Sequence, residues 1–389
     1  MAKRLKIALL IESCRASRRA LLRGIAAYGR AHGPWLFYHH EGPLRHAAPA
    51  ELSEWDGDGI IVRTESHKLI HKIEQMGLPM VDPIGSHHRE GISQIDTSHQ
   101  AVARLAADHL LQRGFQHFAY CGFAGLRYSE QRRTHFVSYL AEKGYQSSVY
   151  EGLLPRARIS AAEKSRPRAA TMVRWIDSLA KPVGLMACND MCAQQVLTVC
   201  GEHGIAVPDE VAVIGVDNDE VLCELCDPLL SSIDPNFRKI GYEAAALLDQ
   251  MIGGRHPPEK ETFIEPLGVV TRQSTDVLAI ADRDVAAAIH FIREHACDGI
   301  HIKHVLQHVQ LSRSTLERRF MKLLDHSPRA EIIRVQLQRV KELLIATDFP
   351  LAKIAQLAGF NYAESMCDLF KNMTGQSPGQ YRKESRARG

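Results

Sequence analysis

Five polar residues of the sequence have the chemistry and the placement of a sugar-binding site. Ser13, Asn189, Asp190 and Asp217 each follow a short apolar run, and Arg132 lies within a predicted helix. Carboxylate and amide groups can bridge adjacent hydroxyls of a sugar, and an arginine can donate a pair of hydrogen bonds to the same groups. Taken singly, each Asn or Asp fits a helix N-cap equally well, because such residues commonly cap the helix that follows a strand.

Basic side chains crowd a second region, close to the C-terminus. Arg313, Thr315, Arg318, Arg319 and Lys322 share one side of a predicted helix. Long hydrogen-bond donors on one helix face suit the base edges and phosphates of a DNA major groove. The same pattern is typical of an ordinary solvated helix face, so the cluster needs further support before DNA binding follows from it.

Two pairs of residues have the spacing of metal or redox sites. Cys223 and Cys226 have C-x-x-C spacing, and His304 and His308 lie one helical turn apart. No second C-x-x-C accompanies the cysteines, so we expect no metal site and no cofactor. The sequence also lacks a P-loop, G-x-S-x-G, H-E-x-x-H, and a G-x-G-x-x-G after its first strand. These absences argue against the common nucleotide-dependent enzymes and hydrolases.

The composition is that of a soluble protein with more than one domain. The chain has 389 residues, of which 45% are hydrophobic and 24% charged. Its nine cysteines have no disulfide-framework spacing, as expected of reduced thiols in the cytosol. No apolar run is long enough to span a bilayer, and the N-terminus does not resemble a signal peptide. We therefore expect a cytoplasmic protein that does not associate with membranes.

The sugar-binding candidates lie among alternating strands and helices. Strands are predicted at 6–11, 59–62, 79–81, 117–121, 183–188 and 211–216, and helices at 18–31, 101–113 and 131–143. This βα alternation is typical of doubly wound parallel sheets, and the available length fits two of them. Ligands of such sheets bind beyond the carboxyl ends of the strands. The sequence therefore predicts an α/β two-lobed sensor over residues 1–271.

The basic cluster lies in an all-α region with an internal repeat. We predict a linker over residues 272–283 and a helical domain over 284–389, because the apolar spacing becomes that of helices. A short helix, a turn and a second helix occur twice, about fifty residues apart, which indicates two helix-turn-helix units. The predicted buried residues of the second helices are Leu316, Phe320 and Leu323 in the first copy, and Met366, Phe370 and Met373 in the other.

The repeat suits a protein that reads DNA at two places. A long helix predicted over 329–346 would separate the units, so that two recognition helices enter successive major grooves about 34 Å apart. Tyr362, Glu364, Ser365 and Lys371 are the DNA-contact candidates of the second unit. Its acidic residues, Glu364 and Asp368, predict fewer base contacts than in the first. A helical bundle that binds protein would show the same apolar stripes. The duplicated turn and the clustered arginines favour DNA.

A family resemblance supports the DNA-binding interpretation. Residues 311–320, 354–355, 359–360, 370–371, 375–378 and 381–382 resemble the signature of the AraC/XylS family. The resemblance covers residues 284–383 and implies a double helix-turn-helix DNA-binding domain. The sequence departs from the family pattern at Gln336, where arginine is usual, and at Gln310, where glycine is frequent. These departures bear on affinity and base preference rather than on the fold.

A second resemblance concerns the α/β region. Ser129 and Arg132, the pair 189–190, the run 208–217 and the run 228–233 resemble landmarks of the LacI/GalR and periplasmic sugar-binding fold. In that family the positions matching Arg132, Asn189 and Asp217 contact the ligand, and Ser13 and Asp190 match less directly. The family's DNA-binding head is not seen before the first predicted strand, so we expect the C-terminal domain to bind DNA.

A sensor of one family joined to a DNA-binding domain of the other resembles the regulators of bacterial pentose operons. This resemblance implies D-xylose as effector, and promoter DNA and RNA polymerase as partners of a homodimeric activator. The first alternative is a regulator of the same build that responds to another sugar. A sugar-processing enzyme is a second alternative and would need an acid and a base poised together. A protein-interaction adaptor is the third.

Overall fold

The chain forms two compact units, Met1–Val277 and Leu278–Gly389. The computed structural model describes residues 4–41, 55–64, 67–85, 93–152, 171–255, 261–276, 282–324 and 326–388. The first unit is an α/β domain with two sheets, and the second is all helical. The predicted fold class is therefore confirmed. No helix among the described residues is long and apolar enough to cross a membrane.

The first unit contains two six-stranded sheets. The strands are β1 Lys6–Leu10, β2 Leu36–His39, β3 Gly59–Val62, β4 Met80–Pro83, β5 Ser93–Thr97, β6 His117–Phe123, β7 Ser147–Gly152, β8 Val183–Ala187, β9 Val211–Val216, β10 Ser231–Asp234, β11 Thr262–Ile264 and β12 Gly268–Val270. One sheet has the order β2-β1-β3-β4-β5-β11, and the other has the order β7-β6-β8-β9-β10-β12. All pairings are parallel except that of β10 with β12 at one edge.

Helices cover the sheets of the first unit. They are α1 Ala16–His32, α2 His67–Glu74, α3 His99–Gln112, α4 Arg127–Glu142, α5 (171–178), α6 Asp190–Glu202, α7 Glu220–Glu224 and α8 Phe237–Ile252. Strands β3, β8 and β9 are buried along their whole length, as expected of parallel strands with helices on both faces. Helices α1 and α8 cross closely at Gly24 and Gly241. Glycine is required there because a Cβ at either position would clash with backbone of the other helix.

The chain passes between the two sheets three times, after β5, after β10 and between β11 and β12. These crossings place the carboxyl ends of both sets of parallel strands around one cleft region. The first unit extends beyond residue 271, into the stretch predicted as a linker. Residues Gln273–Thr275 form a 3₁₀ turn, and Ser274 and Thr275 are fully buried in the first unit. Ser274 donates a hydrogen bond of 2.6 Å to the Val213 carbonyl oxygen, so this polar stretch belongs to the sensor.

Seven helices build the described part of the second unit. They are α9 Arg283–His295, α10 Ile302–Val309, α11 Arg313–Leu324, α12 Pro328–Ala346, α13 Leu351–Leu357, α14 Ala363–Thr374 and α15 Pro378–Arg388. Two hydrophobic clusters form, one around α11 and one around α14. Helix α12 contributes Ile332 to the first cluster and Leu337, Val340 and Leu344 to the second. It therefore lies between the two helix-turn-helix units and contributes to the core of each.

The buried residues of the two recognition helices match the prediction in their first two turns only. Leu316 and Phe320 are fully buried in α11, and Met366 and Phe370 are fully buried in α14. The prediction was wrong for Leu323 and Met373, which are 38% and 65% exposed. Both lie in the last turn of their helix, beyond the turns whose side chains join the core. Helical spacing alone does not reveal where the covering elements end.

Candidate ligand site and nucleic-acid interface

Arg132 is the centre of the candidate ligand site. Its side chain is buried, and Nη1 donates a hydrogen bond to the carbonyl oxygen of Cys188 at the end of β8. Nη1 also lies 3.8 Å from Oδ1 of Asp217, and Nε donates to Nδ1 of His99 over 3.4 Å. The guanidinium carbon lies 5.3 Å from the ring centre of Tyr128. The structure thus brings together two of the predicted residues, Arg132 and Asp217.

Asn189 caps the helix that follows it and also joins the Arg132 cluster, while its contact with a ligand stays a prediction. Its Oδ1 accepts a hydrogen bond from the backbone N of Cys192 and so caps α6, with a length of 2.9 Å. Its Nδ2 donates to the hydroxyl of Tyr128 over 3.2 Å, which joins it to the Arg132 cluster. Burial raises the pKa of the Tyr128 hydroxyl, so this group stays neutral. The cap fixes where the amide of Asn189 points.

The carboxyl group of Asp190 forms its hydrogen bonds with other groups of the protein. Its carboxylate accepts hydrogen bonds from Ser232 Oγ at 2.6 Å, from the backbone N of Asp219 at 2.8 Å and from Cys223 Sγ at 3.7 Å. Burial raises its pKa, and the nearby Asp217 charge adds to that shift. The structure therefore argues against Asp190 as a ligand contact, because its oxygens already hold the loop after β9. We assign it a positioning role.

The loop that carries Asp217 has an unusual backbone. Asp217 has φ 121° and the next residue, Asn218, has φ 46°, both in a region that residues other than glycine rarely adopt. Surrounding bonds hold them there: Ser232 Oγ accepts from the backbone N of Asn218 at 3.0 Å, and Arg272 donates to the Asn218 side chain at 2.9 Å. Strain of this kind persists where neighbours over-determine it, and it concentrates at functional sites.

Two arginines favour the charged form of Asp217. Burial raises the pKa of its carboxyl group, while Arg132 and Arg15 oppose that shift. Arg15, the N-cap residue of α1, likewise opposes the rise in the pKa of Tyr128 that burial causes. Helix α1 follows β1 of one sheet, whereas Asp217 follows β9 of the other. The charges that act on Asp217 therefore come from both lobes. Nothing in the sequence distinguishes Arg15 from the several other arginines of that region.

Ser13 lies apart from the other predicted ligand residues. In the described part of the chain its hydroxyl donates to a carboxylate oxygen of Glu41, and its carbonyl oxygen accepts from Arg19. Both contacts are with groups that follow β1 or β2 or lie on α1. The structure does not place Ser13 in the Arg132 cluster, so only its position after the first strand supports a ligand role.

His99 and Asp96 also belong to the cluster, and like Tyr128 they were not predicted from the sequence. His99 opens α3, is buried, and its Nε2 lies 3.3 Å from Oδ2 of Asp96. The Oδ1 of Asp96 accepts from the backbone N of Thr97 at 2.7 Å. Burial lowers the pKa of His99, with Arg132 adding to the effect, so the ring is neutral. A single histidine near a helix start carries no sequence signal of its own.

The arrangement suits a neutral polyhydroxyl ligand. One carboxylate, one guanidinium, one amide and one phenol converge at the strand ends, and hydroxyls can both donate to and accept from such a set. Arg127 adds a link between the lobes: its Nη2 donates to both oxygens of Glu261, at 2.6 and 2.7 Å, and its Nη1 donates to Gln94 at 3.1 Å. The two lobes are thereby held together beside the site.

The candidate metal and redox pairs have other partners. Cys223 contacts Asp190, and Cys226 donates to the carbonyl oxygen of Leu222. His304 accepts from the backbone N of His301 at 3.0 Å, and His308 stacks on Phe291 with ring centres 4.5 Å apart. No group of three or more metal-binding side chains occurs among the residues that the structure describes.

The first recognition helix, α11, presents most of its predicted DNA contacts to solvent. Arg318 and Lys322 are exposed, and exposed Arg313 pairs with Glu317 at 2.9 Å. Thr315 is half-buried, and its hydroxyl lies 2.8 Å from that of Ser312, whose oxygen also accepts from the Thr315 backbone N.

Arg319 differs from the other residues predicted on this helix. Its Nη1 donates to Asp284 at 2.8 Å and to both oxygens of Asp282 at 3.2 Å. Asp282 is the N-cap of α9, so these ion pairs fasten α11 to the start of the domain. The structure therefore argues against Arg319 as a DNA contact, because binding a phosphate would require breaking them.

The second recognition helix, α14, also presents its predicted residues to solvent. Tyr362, its N-cap residue, is 69% exposed, and Glu364, Ser365 and Lys371 are exposed as well. Their exposure is what a groove-facing surface requires, although the charges here are mixed.

One buried side chain joins the two helix-turn-helix units. Gln336, on α12, donates through Nε2 to the carbonyl oxygens of Ala296 at 2.9 Å and Gly359 at 3.3 Å. Gly359 lies in the turn of the second unit with φ 80°, and a Cβ there would lie 2.7 Å from the Ala296 oxygen. The units thus touch directly, and their spacing is fixed by packing and hydrogen bonds. In the sequence, Gln336 stands out only as a departure from the family pattern.

Comparisons with known proteins agree with both halves of the chain. A periplasmic binding protein-like domain matches residues 107–275, and a helix-turn-helix domain matches residues 305–384. The xylose operon regulatory protein of Escherichia coli K12 is 30% identical over 388 residues, which covers 98% of this chain and 97% of that protein. The corresponding protein of Haemophilus influenzae is 29% identical over 385 residues, covering 97% and 98%.

Solved structures give the same result. The structure of the xylose-binding transcription activator XylR matches with a TM-score of 0.81 and 30% identity, covering 98% of each chain. A ribose-bound LacI family regulator from Enterococcus faecium shares the fold of the first unit, with a TM-score of 0.56 and 22% identity over 71% of this chain and 100% of that one. The chain therefore belongs to the family of xylose operon regulatory proteins, and it is a sugar-responsive, DNA-binding transcription regulator and not an enzyme.

Proposed function

We propose that the chain is a D-xylose-activated activator of pentose catabolic genes, which acts in the cytoplasm as a homodimer on promoter DNA. The observation that carries the sugar part is the contact of buried Arg132 with half-buried Asp217 at the strand ends. The relatives named as xylose operon regulatory proteins, and the solved activator named as xylose-binding, support D-xylose as the sugar.

The proposed sugar contacts are Arg132, Asp217 and Asn189, with Tyr128 and His99 beside them. Arg132 and Asp217 would exchange part of their mutual attraction for hydrogen bonds to adjacent hydroxyls. Sugar binding stabilises whichever arrangement of the lobes makes the most contacts, so occupancy shifts the population toward it. Asp190 would keep the Asp217 loop in place throughout.

The proposed DNA contacts lie on the two recognition helices. Phosphate contacts from Arg313, Arg318, Lys322 and Lys371 would supply much of the affinity and a steep salt dependence. Thr315, Tyr362, Glu364 and Ser365 would meet base edges or adjacent phosphates. Contact with RNA polymerase would follow from binding next to a promoter.

A thermal-shift panel of pentoses and hexoses tests the effector. D-xylose should raise the melting temperature of the first unit, because a ligand that binds only the native state stabilises it by about 2.7 kcal/mol at one hundred times its Kd. Asp217→Asn should abolish most of the shift, whereas Glu202→Gln, on an exposed site at the end of α6, should retain it. A shift with another sugar but not with D-xylose would disprove the effector and leave the regulator standing.

A further inference from the structure

Helix α3 has buried polar residues at both ends. His99 is its first residue and His109 lies in its last turn, and the side chains of both are buried. The ten-residue separation corresponds to about 15 Å along a helix axis. Apolar side chains fill the buried positions between them, including Val102, Ala103 and Ala106. The helix therefore connects two separate polar clusters of the sensor.

The first cluster belongs to the proposed sugar site. His99 accepts from Arg132 Nε and faces Asp96 of β5 with its other ring nitrogen. Asp96 belongs to one sheet and Arg132 lies on a helix of the other, so the start of α3 lies between the lobes. Any change in the position of Arg132 on sugar binding therefore alters a direct partner of α3.

The second cluster holds the end of the sensor. His109 Nε2 lies 2.8 Å from Thr275 Oγ1, and Arg113 Nε donates to the Thr275 carbonyl oxygen at 2.6 Å. Arg113 also contacts His109 Nδ1 at 3.1 Å. Since arginine can only donate, Nδ1 must accept and Nε2–H must donate to Thr275. Burial lowers the pKa of His109 to about 3, which keeps the ring neutral in this tautomer.

The chain of donors continues into the sheet. Thr275 Oγ1 donates to Ser231 Oγ at 2.7 Å, and Ser231 Oγ donates to the Arg272 carbonyl oxygen at 2.9 Å. Thr275 and Ser231 are fully buried, so every member of this chain depends on the others for its hydrogen bonds. Such a network permits few alternative arrangements. The first compact unit ends two residues later, at Val277.

We propose that α3 transmits sugar occupancy from Arg132 to the end of the sensor, with His109 and Arg113 holding Thr275 as the output. The inference rests on the proposed sugar response and adds its route. Leu110, next to His109, packs against Gly184 of β8. A Cβ added at Gly184 would lie 3.0 Å from the Leu110 side chain. A displacement of α3 is therefore passed to the sheet and to Thr275 together, because close-packed interiors transmit strain.

Thr275→Val in the full-length protein tests the route, because valine keeps the shape of threonine and removes the hydroxyl that receives from His109. The measured quantity is the coupling factor, the ratio of DNA affinities with and without D-xylose, obtained by fluorescence anisotropy on pentose-operon promoter DNA. We expect the D-xylose Kd in calorimetry and the sugar-free DNA affinity to stay within about twofold of wild type. The coupling factor should fall at least about fivefold toward one, within the usual range of allosteric effects.

Two further variants give the test its controls. Thr275→Ser restores the hydroxyl and should recover the coupling factor. Thr198→Val removes an exposed hydroxyl that, among the described residues, donates to the Gln194 carbonyl oxygen of its own helix, and it should leave the factor unchanged. If Thr275→Val fails to fold, Arg113→Met replaces it, since the Arg113 side chain is half-buried and its loss removes the donor to the Thr275 carbonyl.

The outcomes separate the route from the function itself. A wild-type coupling factor of one for every sugar would refute the sugar response, and the route with it. A responsive wild type with an equally responsive Thr275→Val variant would overturn the route alone. The route is likewise overturned if the variant only melts at a lower temperature, because a purely structural anchor changes stability without changing coupling. By reciprocity, promoter DNA should lose its effect on D-xylose affinity in the variant by the same factor.

Discussion

The two helix-turn-helix units share a scaffold and differ in charge. The repeat pairs Leu316 with Met366 and Phe320 with Phe370, and all four side chains are fully buried. The following helix is capped alike in both copies, by Ser327 before Pro328 and by Ser377 before Pro378. The packing of the units is thus nearly the same.

Their exposed faces differ at the paired positions. Arg318 of α11 corresponds to Asp368 of α14, and both are exposed. Lys322 corresponds to Asn372, while Met321 corresponds to Lys371. Buried positions are constrained by volume, whereas exposed ones are constrained only by what they meet. The difference therefore indicates that the first unit supplies more of the attraction to phosphates, and the second contributes more through shape and selected contacts.

Gly359→Ala should break the shared scaffold most strongly. A Cβ at this position would lie 2.7 Å from the Ala296 oxygen and 2.9 Å from backbone atoms of Cys297. Backbone atoms on both sides leave little room for adjustment. We therefore expect the free energy of unfolding of the helical domain to fall by about 3 kcal/mol or more. Differential scanning calorimetry of the intact chain measures the loss.

Gly375→Ala is the matched control. Gly375 has φ 77°, close to that of Gly359, but has nothing within 4 Å of an added Cβ. Its substitution should cost only the left-handed backbone penalty, about 1 kcal/mol. Equal losses in the two variants would show that the close contact between the units does not matter.

Gln336→Met should loosen one unit from the other while keeping side-chain length. It removes the donor shared by the Ala296 and Gly359 carbonyl oxygens, and leaving buried acceptors unpaired costs about 2 kcal/mol. DNA carrying two half-sites should lose more affinity than DNA carrying one. Gln338→Met, on the exposed side of the same helix, should have neither effect. Equal losses on both DNA types would contradict a spacing role.

Removing the charge at each of two paired positions sharpens the comparison of the two faces. Arg318→Ala should weaken promoter binding about tenfold and lower the slope of log affinity against log salt by about one. Asp368→Ala should instead leave the affinity unchanged or raise it, because it removes a negative charge from a face near phosphates. Salt titrations by fluorescence anisotropy measure both slopes. A larger loss in Asp368→Ala than in Arg318→Ala would reverse the assignment of the two units.

Gln310→Gly should change stability the least of these substitutions, and it should raise stability rather than lower it. Gln310 is exposed in the turn of the first unit with φ 53°, where glycine has no steric penalty. We expect stability to rise by about 0.5 kcal/mol. Gln307→Gly, within the regular part of α10, should instead cost about 1 kcal/mol. Destabilisation by both substitutions would mean that the Gln310 turn carries no strain.

The fold followed from the sequence because its signals are local and repeated. Apolar runs at strand spacing and helical spacing recur throughout, and the duplicated pattern around Phe320 and Phe370 indicated two units without any tertiary information. Exposure at Leu323 and Met373 could not be predicted, because it depends on where a neighbouring element ends. The inclusion of Ser274 and Thr275 in the sensor was missed for a related reason: polar residues indicate a linker unless their buried partners are known.

The site was predictable only where a resemblance or a strand end marked it. Arg132 contacts Asp217, and Tyr128 links Asn189 to Arg132. His99 and Tyr128 come to the same place by folding and leave no local signature. Asp190 and Arg319 illustrate the opposite case. Each has the right chemistry and the right position in the sequence. In the structure, however, the side chain of Asp190 bonds to Ser232 and that of Arg319 to Asp284, both far away in the sequence.

The most direct test of the proposed regulator is one titration of the intact protein with pentose-operon promoter DNA, with and without saturating D-xylose, at two salt concentrations. We expect salt-sensitive binding, as phosphate contacts require, and a sugar-dependent change of at least about fivefold in affinity. Binding that responds to salt but to no sugar would contradict the proposed sensor. Failure to bind the promoter DNA under any condition would contradict the proposed function as a whole.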